Sequence, residues 1–202
     1  MNKYILTFDN NLDTEFCDLL INKFESDNNK FRGRVAGGIA KTDVKNTYDL
    51  SVSTSEKWKK EDKILSEKIS NAIKDYENKI NNNNNNNQLC KALSILYNYN
   101  IMDRGYKIQK YIKNEGFYKW HHDFVYSQHG VRVFTFIWYL NYVNIGGETE
   151  FIDGTKIKPK KGTLLIFPSD FTYIHRGITP ISHDKYICNG WLYINSFSPN
   201  NI

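Results

Sequence analysis

The stretch Arg132-Val-Phe-Thr-Phe-Ile-Trp-Tyr-Leu-Asn141 is one of a series of short runs rich in β-branched and aromatic residues. Such residues favour strands, and clusters rich in Gly, Asn and Asp separate the runs from Leu93 onward. The separating segments are residues 98–105, 114–116, 129–130, 144–147, 153–154 and 160–162. This rhythm predicts a mainly β fold with flanking helices, namely a double-stranded β-helix (jelly roll) with a pocket between its two sheets.

The first hundred residues predict helical support for that core. Asp13 is placed to cap a helix, and a second, longer helix is expected after Ser55. The apolar residues that recur at helical spacing are Phe16, Leu19, Leu20 and Phe24 in the first helix and Trp58, Leu65, Ile69, Ile73, Tyr76 and Ile80 in the second. Between the helices, Asn46-Thr-Tyr-Asp-Leu-Ser-Val52 predicts a short strand.

Seven consecutive asparagines occupy residues 81–87. Asparagine has poor helix propensity, and the tract offers nothing apolar to bury. We therefore expect a surface loop between the second helix and a strand near residues 93–99, and we expect shortening of the tract to leave activity unchanged.

Length and cysteine usage indicate one intracellular domain. A chain of 202 residues can bury one substantial core, so we expect a single domain over 1–202, with helical support over 1–90 and the jelly-roll core over about 91–197. Cys17, Cys90 and Cys188 are scattered and lack C-x-x-C spacing, which favours a reducing compartment over a disulfide framework or a zinc ribbon. The first ten residues turn polar too early for a signal-peptide core, and no run approaches membrane-spanning length. A cytoplasmic protein without a membrane partner is expected.

A basic cluster lies in the stretch around Phe31-Arg-Gly-Arg-Val-Ala-Gly-Gly38. The formal net charge of the whole chain is +5, so the clustering is more informative than the total. One hypothesis is that the segment forms a flap over the cleft that attracts an acidic substrate. The cluster comprises Lys30, Arg32, Arg34, Lys41 and Lys45.

His121, Asp123 and His175 have the residue types and spacing of a metal site. Alternate residues of a strand point to one side, so His121 and Asp123 can bind one ion while His122 faces away. The chain from Asp123 to His175 is long enough to fold back and supply a third ligand. Two His and one carboxylate form a facial triad that leaves open coordination positions and suits Fe(II). Zinc is the alternative ion, and a hydrogen-bonded His-Asp pair is the plainer interpretation.

Further motifs follow the pair, and together they resemble the Fe(II)/2-oxoglutarate dioxygenases of the prolyl 4-hydroxylase type over residues 100–195. The motifs are Arg132 to Asn141, Gly146-Gly-Glu-Thr-Glu-Phe151, Lys161-Gly-Thr-Leu-Leu-Ile-Phe-Pro168, His175-Arg-Gly and Lys185-Tyr-Ile-Cys-Asn-Gly-Trp191. The resemblance implies that His121, Asp123 and His175 bind catalytic iron. It also implies that Lys185, at the family's spacing after the distal His, binds the far carboxylate of 2-oxoglutarate.

Thr149 and Tyr111 match family positions that hydrogen-bond the same carboxylate, although the stretch after Tyr111 is one residue longer than the usual spacing. Trp191 matches a family Trp near the active site, and strand alternation places it on the same side as Lys185. Arg176 is the other possible cation, but it directly follows His175 and should point to the opposite face. A solvated strand-end lysine is the plainer interpretation of Lys185.

The resemblance implies a hydroxylase that uses Fe(II), 2-oxoglutarate, O2 and ascorbate. Such an enzyme converts 2-oxoglutarate to succinate and CO2 while it hydroxylates a C–H bond, here of a prolyl residue in a peptide or protein. The alternatives are a hydroxylase of another amino acid or of a small molecule, and a non-catalytic metal-binding jelly-roll module. A nucleic-acid substrate is not expected, since the related demethylases use Arg where this chain has Lys185.

Overall fold

The computed structural model describes residues 3–82, 101–127 and 130–194. Two helices precede most of the strands, and 3-10 turns occur at Ala36–Gly38 and Glu56–Trp58. The helices are α1 (Thr14–Ser26) and α2 (Lys59–Asn82), and the strands are β1 (Leu6–Phe8), β2 (Phe31–Arg32), β3 (Lys45–Asn46), β4 (Tyr48–Ser51), β5 (Met102–Tyr111), β6 (Phe117–His121), β7 (Tyr126–Ser127), β8 (Gly130–Tyr139), β9 (Thr149–Phe151), β10 (Lys156–Ile157), β11 (Leu164–Pro168), β12 (His175–Gly177) and β13 (Lys185–Ile194). The predicted strand near residues 93–99, Cys90, His129 and most of the asparagine tract lie outside the described residues.

The strands form two antiparallel sheets. The large sheet has the order β1-β11-β8-β13-β5-β4-β2, with β7 paired to β8, and the small sheet has the order β10-β9-β12-β6-β3. The architecture confirms the predicted mainly β fold with flanking helices. The predicted turn over residues 98–105 is wrong at its described end, because Met102 to Gly105 belong to β5.

Helix α1 begins as predicted, since the Asp13 carboxylate accepts a hydrogen bond from the Phe16 N–H at 2.8 Å. The predicted buried face is confirmed at Leu20 and Phe24 but is wrong at Leu19. Cys17, Leu20 and Phe24 are buried, whereas Leu19 is 45% exposed. At about 100° per residue, Leu19 lies on the opposite side of the helix from Cys17.

Helix α2 buries the stripe that the sequence predicts. The predicted apolar residues pack in the core layer between the large sheet and the helices; they are Trp58, Leu65, Ile69, Ile73, Tyr76 and Ile80. The Trp58 indole donates a hydrogen bond to Asp27 at 2.9 Å. The Tyr76 hydroxyl donates to the Tyr4 carbonyl at 2.8 Å, which fastens the helix to the segment before β1. No helix within the described ranges combines the length and apolar character that crossing a membrane requires.

The single strand predicted over residues 46–52 is instead two strands in different sheets. Lys45 and Asn46 pair with β6 of the small sheet, whereas Tyr48 to Ser51 pair with β5 of the large sheet. Thr47 lies at the crossing, and its hydroxyl donates to Asp49 at 2.7 Å. Periodicity alone could not reveal the crossing, because the residues on both sides of Thr47 are extended.

Two apolar layers surround the large sheet. The outer layer lies between that sheet and the helices and includes Phe24, Phe136 and Trp138. The inner layer lies between the two sheets and includes Tyr139 and Phe167 from the large sheet and Phe151 from the small one. Cys17 and Cys188 are free and buried in the outer layer.

Candidate active site

Three potential metal ligands lie close together at the adjoining ends of β6 and β12 in the small sheet. His121, the last residue of β6, pairs directly with His175, the first residue of β12, and Asp123 follows just beyond β6. The Nε2 atoms of His121 and His175 lie 3.9 and 3.7 Å from Oδ1 and Oδ2 of Asp123. One ligand atom from each residue lies within 4.8 Å of the others. The structure therefore brings the predicted ligands to positions from which they could hold one ion.

Backbone carbonyls orient both imidazole rings. The Nδ1 atom of His121 lies 2.7 Å from the Lys119 carbonyl, and that of His175 lies 3.0 Å from the Tyr173 carbonyl. Only a protonated Nδ1 can donate to a carbonyl, so each Nε2 keeps its lone pair for a metal. The ring of Tyr118 also stacks on His121 at a centroid distance of 3.5 Å.

The protonation states of the cluster also suit a cation. Burial and the neighbouring His175 lower the pKa of His121 well below its ordinary value. Burial alone would raise the pKa of Asp123, but His175 and His121 outweigh it and the pKa lies below 3.8. The Thr135 hydroxyl donates to Oδ2 of Asp123 at 2.8 Å and contacts the Ser169 hydroxyl at 2.9 Å. Metal ligands must be deprotonated, and both pKa shifts favour the deprotonated forms of His121 and Asp123 at neutral pH.

Lys185 is a buried cation without a matching anion. Its side chain is 1% exposed, and Nζ lies 4.8 and 5.6 Å from the ring centroids of Tyr111 and Tyr139. No carboxylate in the part of the chain that the structure describes forms an ion pair with it, and burial lowers its pKa to about 7 although Glu148 opposes the shift. A buried charge is costly unless it is paired. The position therefore suits an anionic group of a bound molecule.

Thr149 and Tyr111 line the same cavity as Lys185. Tyr111 pairs with Lys185 across β5 and β13, and its hydroxyl donates to Gln109 at 3.3 Å. The hydroxyl of Thr149 accepts a hydrogen bond from the Tyr139 hydroxyl at 2.8 Å. Sequence reasoning missed Tyr139, although alternation along β8 from Thr135 was the available signal. The proposed roles of these residues stay predictions.

Strand β13 presents Lys185, Asn189 and Trp191 to the same cavity, which is the alternation expected from the sequence. One buried polar atom in this row, Asn189 Oδ1, has no hydrogen-bond partner among the described residues, whereas the indole of Trp191 interacts with Asp123. Buried polar groups are nearly always paired, so Asn189 Oδ1 indicates a partner that is not part of the chain. Strand alternation predicts that Asn189 lies on the same face as Lys185, but a ligand-binding role for its side chain was not predicted.

Arg176 does not compete with Lys185. Its guanidinium forms a salt bridge with Glu150 at 2.5 Å and lies over the ring of Trp120 at 4.6 Å. Register explains this pairing, since Arg176 is opposite Glu150 across β12 and β9. The side chain is thereby held at the edge of the cavity.

The basic cluster of residues 30–45 does not act as a unit. Lys30 donates to backbone carbonyls at the end of α1, Arg32 donates to a side chain on β3 at 2.5 Å, and Lys45 is buried against Asp49 at 2.8 Å. The expectation that Arg32 faces an acidic substrate is therefore not supported. Arg34 does line the cavity, beside Gly37 and Gly38.

All the side chains predicted for the site line one cavity of ≈ 530 Å³. His121, His175 and Thr149 come from the small sheet, whereas Lys185 and Trp191 come from the large one. This volume is typical of sites that enclose a small molecule. The three potential metal ligands and the unpaired Lys185 thus line the same cavity.

Residues 106–193 match the family model described as the 2OG-Fe(II) oxygenase superfamily. The match confirms the resemblance seen in the sequence, and the superfamily uses Fe(II), 2-oxoglutarate and O2. It spans β5 to β13, which hold every predicted site residue. No curated protein sequence matches the chain.

Solved structures share the fold at low sequence identity. A viral collagen prolyl hydroxylase from Paramecium Bursaria Chlorella virus-1, in complex with 2OG, is 20% identical, covers 96% of this chain and 98% of its own, and gives a TM-score of 0.61. A Trichoplax adhaerens prolyl hydroxylase in complex with a hypoxia inducible factor peptide fragment is 18% identical, with coverage of 96% and 84% and a TM-score of 0.69. A Pseudomonas putida prolyl-4-hydroxylase is 14% identical, with coverage of 95% and 94% and a TM-score of 0.63.

Proposed function

We propose that this chain is an Fe(II)- and 2-oxoglutarate-dependent oxygenase that hydroxylates a prolyl residue of a peptide or protein. His121, Asp123 and His175 hold Fe(II), and Lys185 binds the far carboxylate of 2-oxoglutarate. The observation that carries the proposal is the unpaired, buried Lys185 in the same cavity as the three potential ligands.

The residues present fit both groups. Two imidazole nitrogens and one carboxylate form the donor set that suits non-haem Fe(II). Bound iron and 2-oxoglutarate supply the activation of O2 and the electrons for C–H hydroxylation. The chain's own contribution is to orient the ligands through the carbonyls of Lys119 and Tyr173 and to balance the charge of the cosubstrate.

The unpaired Asn189 Oδ1 of β13 also fits an occupied cavity. This atom can accept a hydrogen bond, so a polar molecule beside Lys185 that donates one would satisfy it. A non-catalytic module would gain nothing from an unpaired lysine at this depth, since an apolar side chain there is less costly. The buried Lys185 and Asn189 therefore favour a cavity that binds a polar, anionic molecule such as the cosubstrate of an oxygenase.

A prolyl substrate rests on likeness to other proteins. The structurally similar proteins are prolyl hydroxylases, and one of them is in complex with a peptide. The cavity of this chain also extends past the metal ligands to Arg34 and Gly38, which leaves room for a peptide segment beside the cosubstrate. Hydroxylation of another amino acid is the second candidate function, because the residues around Lys185 and the metal ligands do not select proline.

Succinate formation tests the proposal. The purified chain is incubated with Fe(II), 2-oxoglutarate, ascorbate and O2, with and without proline-containing peptides, and mass spectrometry locates any hydroxyl group. We expect turnover to require iron and to rise with at least one peptide. His175→Ala should abolish it, whereas His183→Ala, a surface histidine outside the cavity, should not.

Hydroxylation confined to a residue other than proline would replace the prolyl substrate and retain the oxygenase. Succinate formation that persists in His175→Ala would contradict the assignment of the iron ligands.

A further inference from the structure

The cavity is lined by many cations and few anions. Among the described lining residues, Asp123 is the single carboxylate, and it belongs to the predicted metal site. The lining cations are Arg34, Lys45, Lys107, Arg132, Arg176 and Lys185. Their charges do not all need the same explanation.

Half of these cations already have a partner or a role. Lys45 forms a buried ion pair with Asp49 at 2.8 Å, and Arg176 forms a partly exposed ion pair with Glu150 at 2.5 Å. Lys185 is the predicted partner of 2-oxoglutarate. The remaining three, Arg34, Lys107 and Arg132, are here called the cationic rim.

The cationic rim surrounds two aromatic side chains. The guanidinium carbon of Arg132 lies 3.9 Å from the ring centroid of Trp191, and that of Arg34 lies 5.1 Å from the ring of Phe31. Lys107 Nζ lies 6.0 Å from both rings and is therefore close to the same two aromatic side chains as the arginines. The aromatic faces fix the positions of the cations but leave their charges in place.

Only one carboxylate in the described part of the chain lies within ion-pairing distance of the rim, and that carboxylate is shared with Lys45. Arg132 Nε donates to the hydroxyl of Tyr193 at 2.7 Å, which is a neutral partner. Lys107 lies 3.8 Å from Asp49, but that carboxylate is closer to Lys45. No described carboxylate lies within the 4.0 Å ion-pairing distance of Arg34 or Arg132.

Neighbouring cations contribute to a lowered pKa of Lys107. Burial lowers the pKa of Lys107; Asp49 opposes the shift, but Lys45, Arg132 and Arg34 add to it. An anion placed among the three side chains would remove this repulsion. Because Arg132 uses Nε for Tyr193, its terminal nitrogens are the donors left for such an anion.

We infer that the cationic rim binds an acidic side chain of the substrate, so that the enzyme prefers peptides with Asp or Glu near the hydroxylated residue. This inference rests on the proposed function, because it assigns a substrate class to the same cavity. The rim is separate from Lys185, and it adjoins Trp191 and the Gly37–Gly38 segment where a peptide would leave the cavity. A planar carboxylate matches the geometry of a guanidinium.

Peptide binding and turnover together test the inference. Proline-containing peptides that carry a single Glu, moved along both sides of the proline, are compared with matched Gln peptides. Binding is followed anaerobically by fluorescence anisotropy, and hydroxylation is followed by mass spectrometry. We expect one Glu position to lower both Kd and KM by about tenfold at low salt, since a charge-assisted hydrogen bond contributes about that much. Added salt should weaken the preference.

Charge variants connect the preference to the rim. Arg34→Gln and Lys107→Gln, singly and together, should remove the Glu preference, measured as the ratio of the affinities for the Glu and Gln peptides. Lys63→Gln, an exposed lysine on α2, is the matched control and should retain it. Arg34→Glu should reverse the preference toward a peptide with Lys at the same position, which loss of folding could not produce.

The outcomes separate the two proposals. Equal binding and turnover of the Glu and Gln peptides would overturn the inference and leave the prolyl hydroxylase standing. Preferential binding of Glu peptides without any hydroxylation would support the inference and count against a prolyl substrate. A preference that survives the double variant would overturn the assignment to the rim.

Discussion

The central strands of the large sheet bury side chains on both faces, but the two faces differ in kind. The outer face packs against the helices with residues such as Phe136, Trp138 and Cys188, and all of them belong to one apolar layer. The inner face lies toward the small sheet, and the same strands bury Thr135, Lys185 and Asn189 there. Strand alternation produces the division, because successive residues point to opposite faces.

The outer face of the large sheet contributes mainly to the stability of the fold, and the inner face contributes mainly to ligand binding. Burial of apolar surface stabilises the folded chain by about 25 cal/mol per Å². Burial of Lys185 without an anion costs free energy, as do unpaired polar atoms such as Asn189 Oδ1. The outer face therefore holds the sheet together, and the inner face retains unfavourable groups that a bound molecule can satisfy.

The largest effect on stability is expected from the outer face. Phe136→Ala removes a fully buried ring that packs between Tyr106 and Trp138, and a change of this kind destabilises a core by about 3–5 kcal/mol. Urea denaturation followed by tryptophan fluorescence measures the loss. Leu19→Ala, on the exposed side of α1, is the control and should have little effect. A small loss in Phe136→Ala would mean that the outer layer is not the main core.

The next effect has the opposite sign and comes from the inner face. Lys185→Met should stabilise the unliganded protein at pH 7 by a few kcal/mol, since it removes a buried, unpaired charge; one pKa unit corresponds to about 1.4 kcal/mol. Thermal unfolding measures the change. An exposed-lysine variant, Lys63→Met, should be neutral by comparison.

The pH dependence of the same variant sharpens this comparison. The pKa of Lys185 falls from 10.5 to about 7 on folding. Between these values the unfolded chain binds more protons, so the stability of the unliganded wild type should rise with pH. Below about pH 7 the cost is fully present, and above 10.5 it is absent. If the stability of the wild type and of Lys185→Met changed in parallel over this pH range, the lowered pKa of Lys185 would be contradicted.

The smallest effect is expected where the inner face supports the metal ligands. Thr135→Val keeps the shape of the side chain but removes the hydroxyl that donates to Asp123. Loss of such a supporting hydrogen bond weakens metal binding by about 10-fold to 100-fold. Competition with a metal indicator measures the affinity. Unchanged affinity would mean that Asp123 is positioned without Thr135.

The sequence predicts the residues of the cavity better than it predicts the packing of the helices and the strands outside it. His121, Asp123, His175 and Lys185 were identifiable because their chemistry restricts both residue type and spacing, and the structure places all four in one cavity. The exposure of Leu19 and the crossing at Thr47 depend on which surfaces meet in three dimensions. Local periodicity carries no information about those contacts.

The basic cluster shows the same limit for charged residues. Arg32 and Arg34 are two residues apart and look equivalent in the sequence, yet one hydrogen-bonds Asn46 and the other lines the cavity. Lys107 and Arg132 lie far from this cluster in the chain and approach Arg34 only because β8, β13, β5, β4 and β2 are neighbours in the large sheet. The composition of the cationic rim was therefore not predictable from the spacing of basic residues.

Binding of 2-oxoglutarate tests the central claim most directly. Isothermal titration calorimetry under anaerobic conditions compares Fe(II)-loaded wild type, Lys185→Met and the exposed-lysine control Lys63→Met. If the buried lysine holds the far carboxylate, Lys185→Met should bind 2-oxoglutarate about 100-fold more weakly, as expected for the loss of a charge-assisted contact. The control should match the wild type. Equal affinity of Lys185→Met and wild type, with iron still bound, would show that Lys185 is not the cosubstrate's partner.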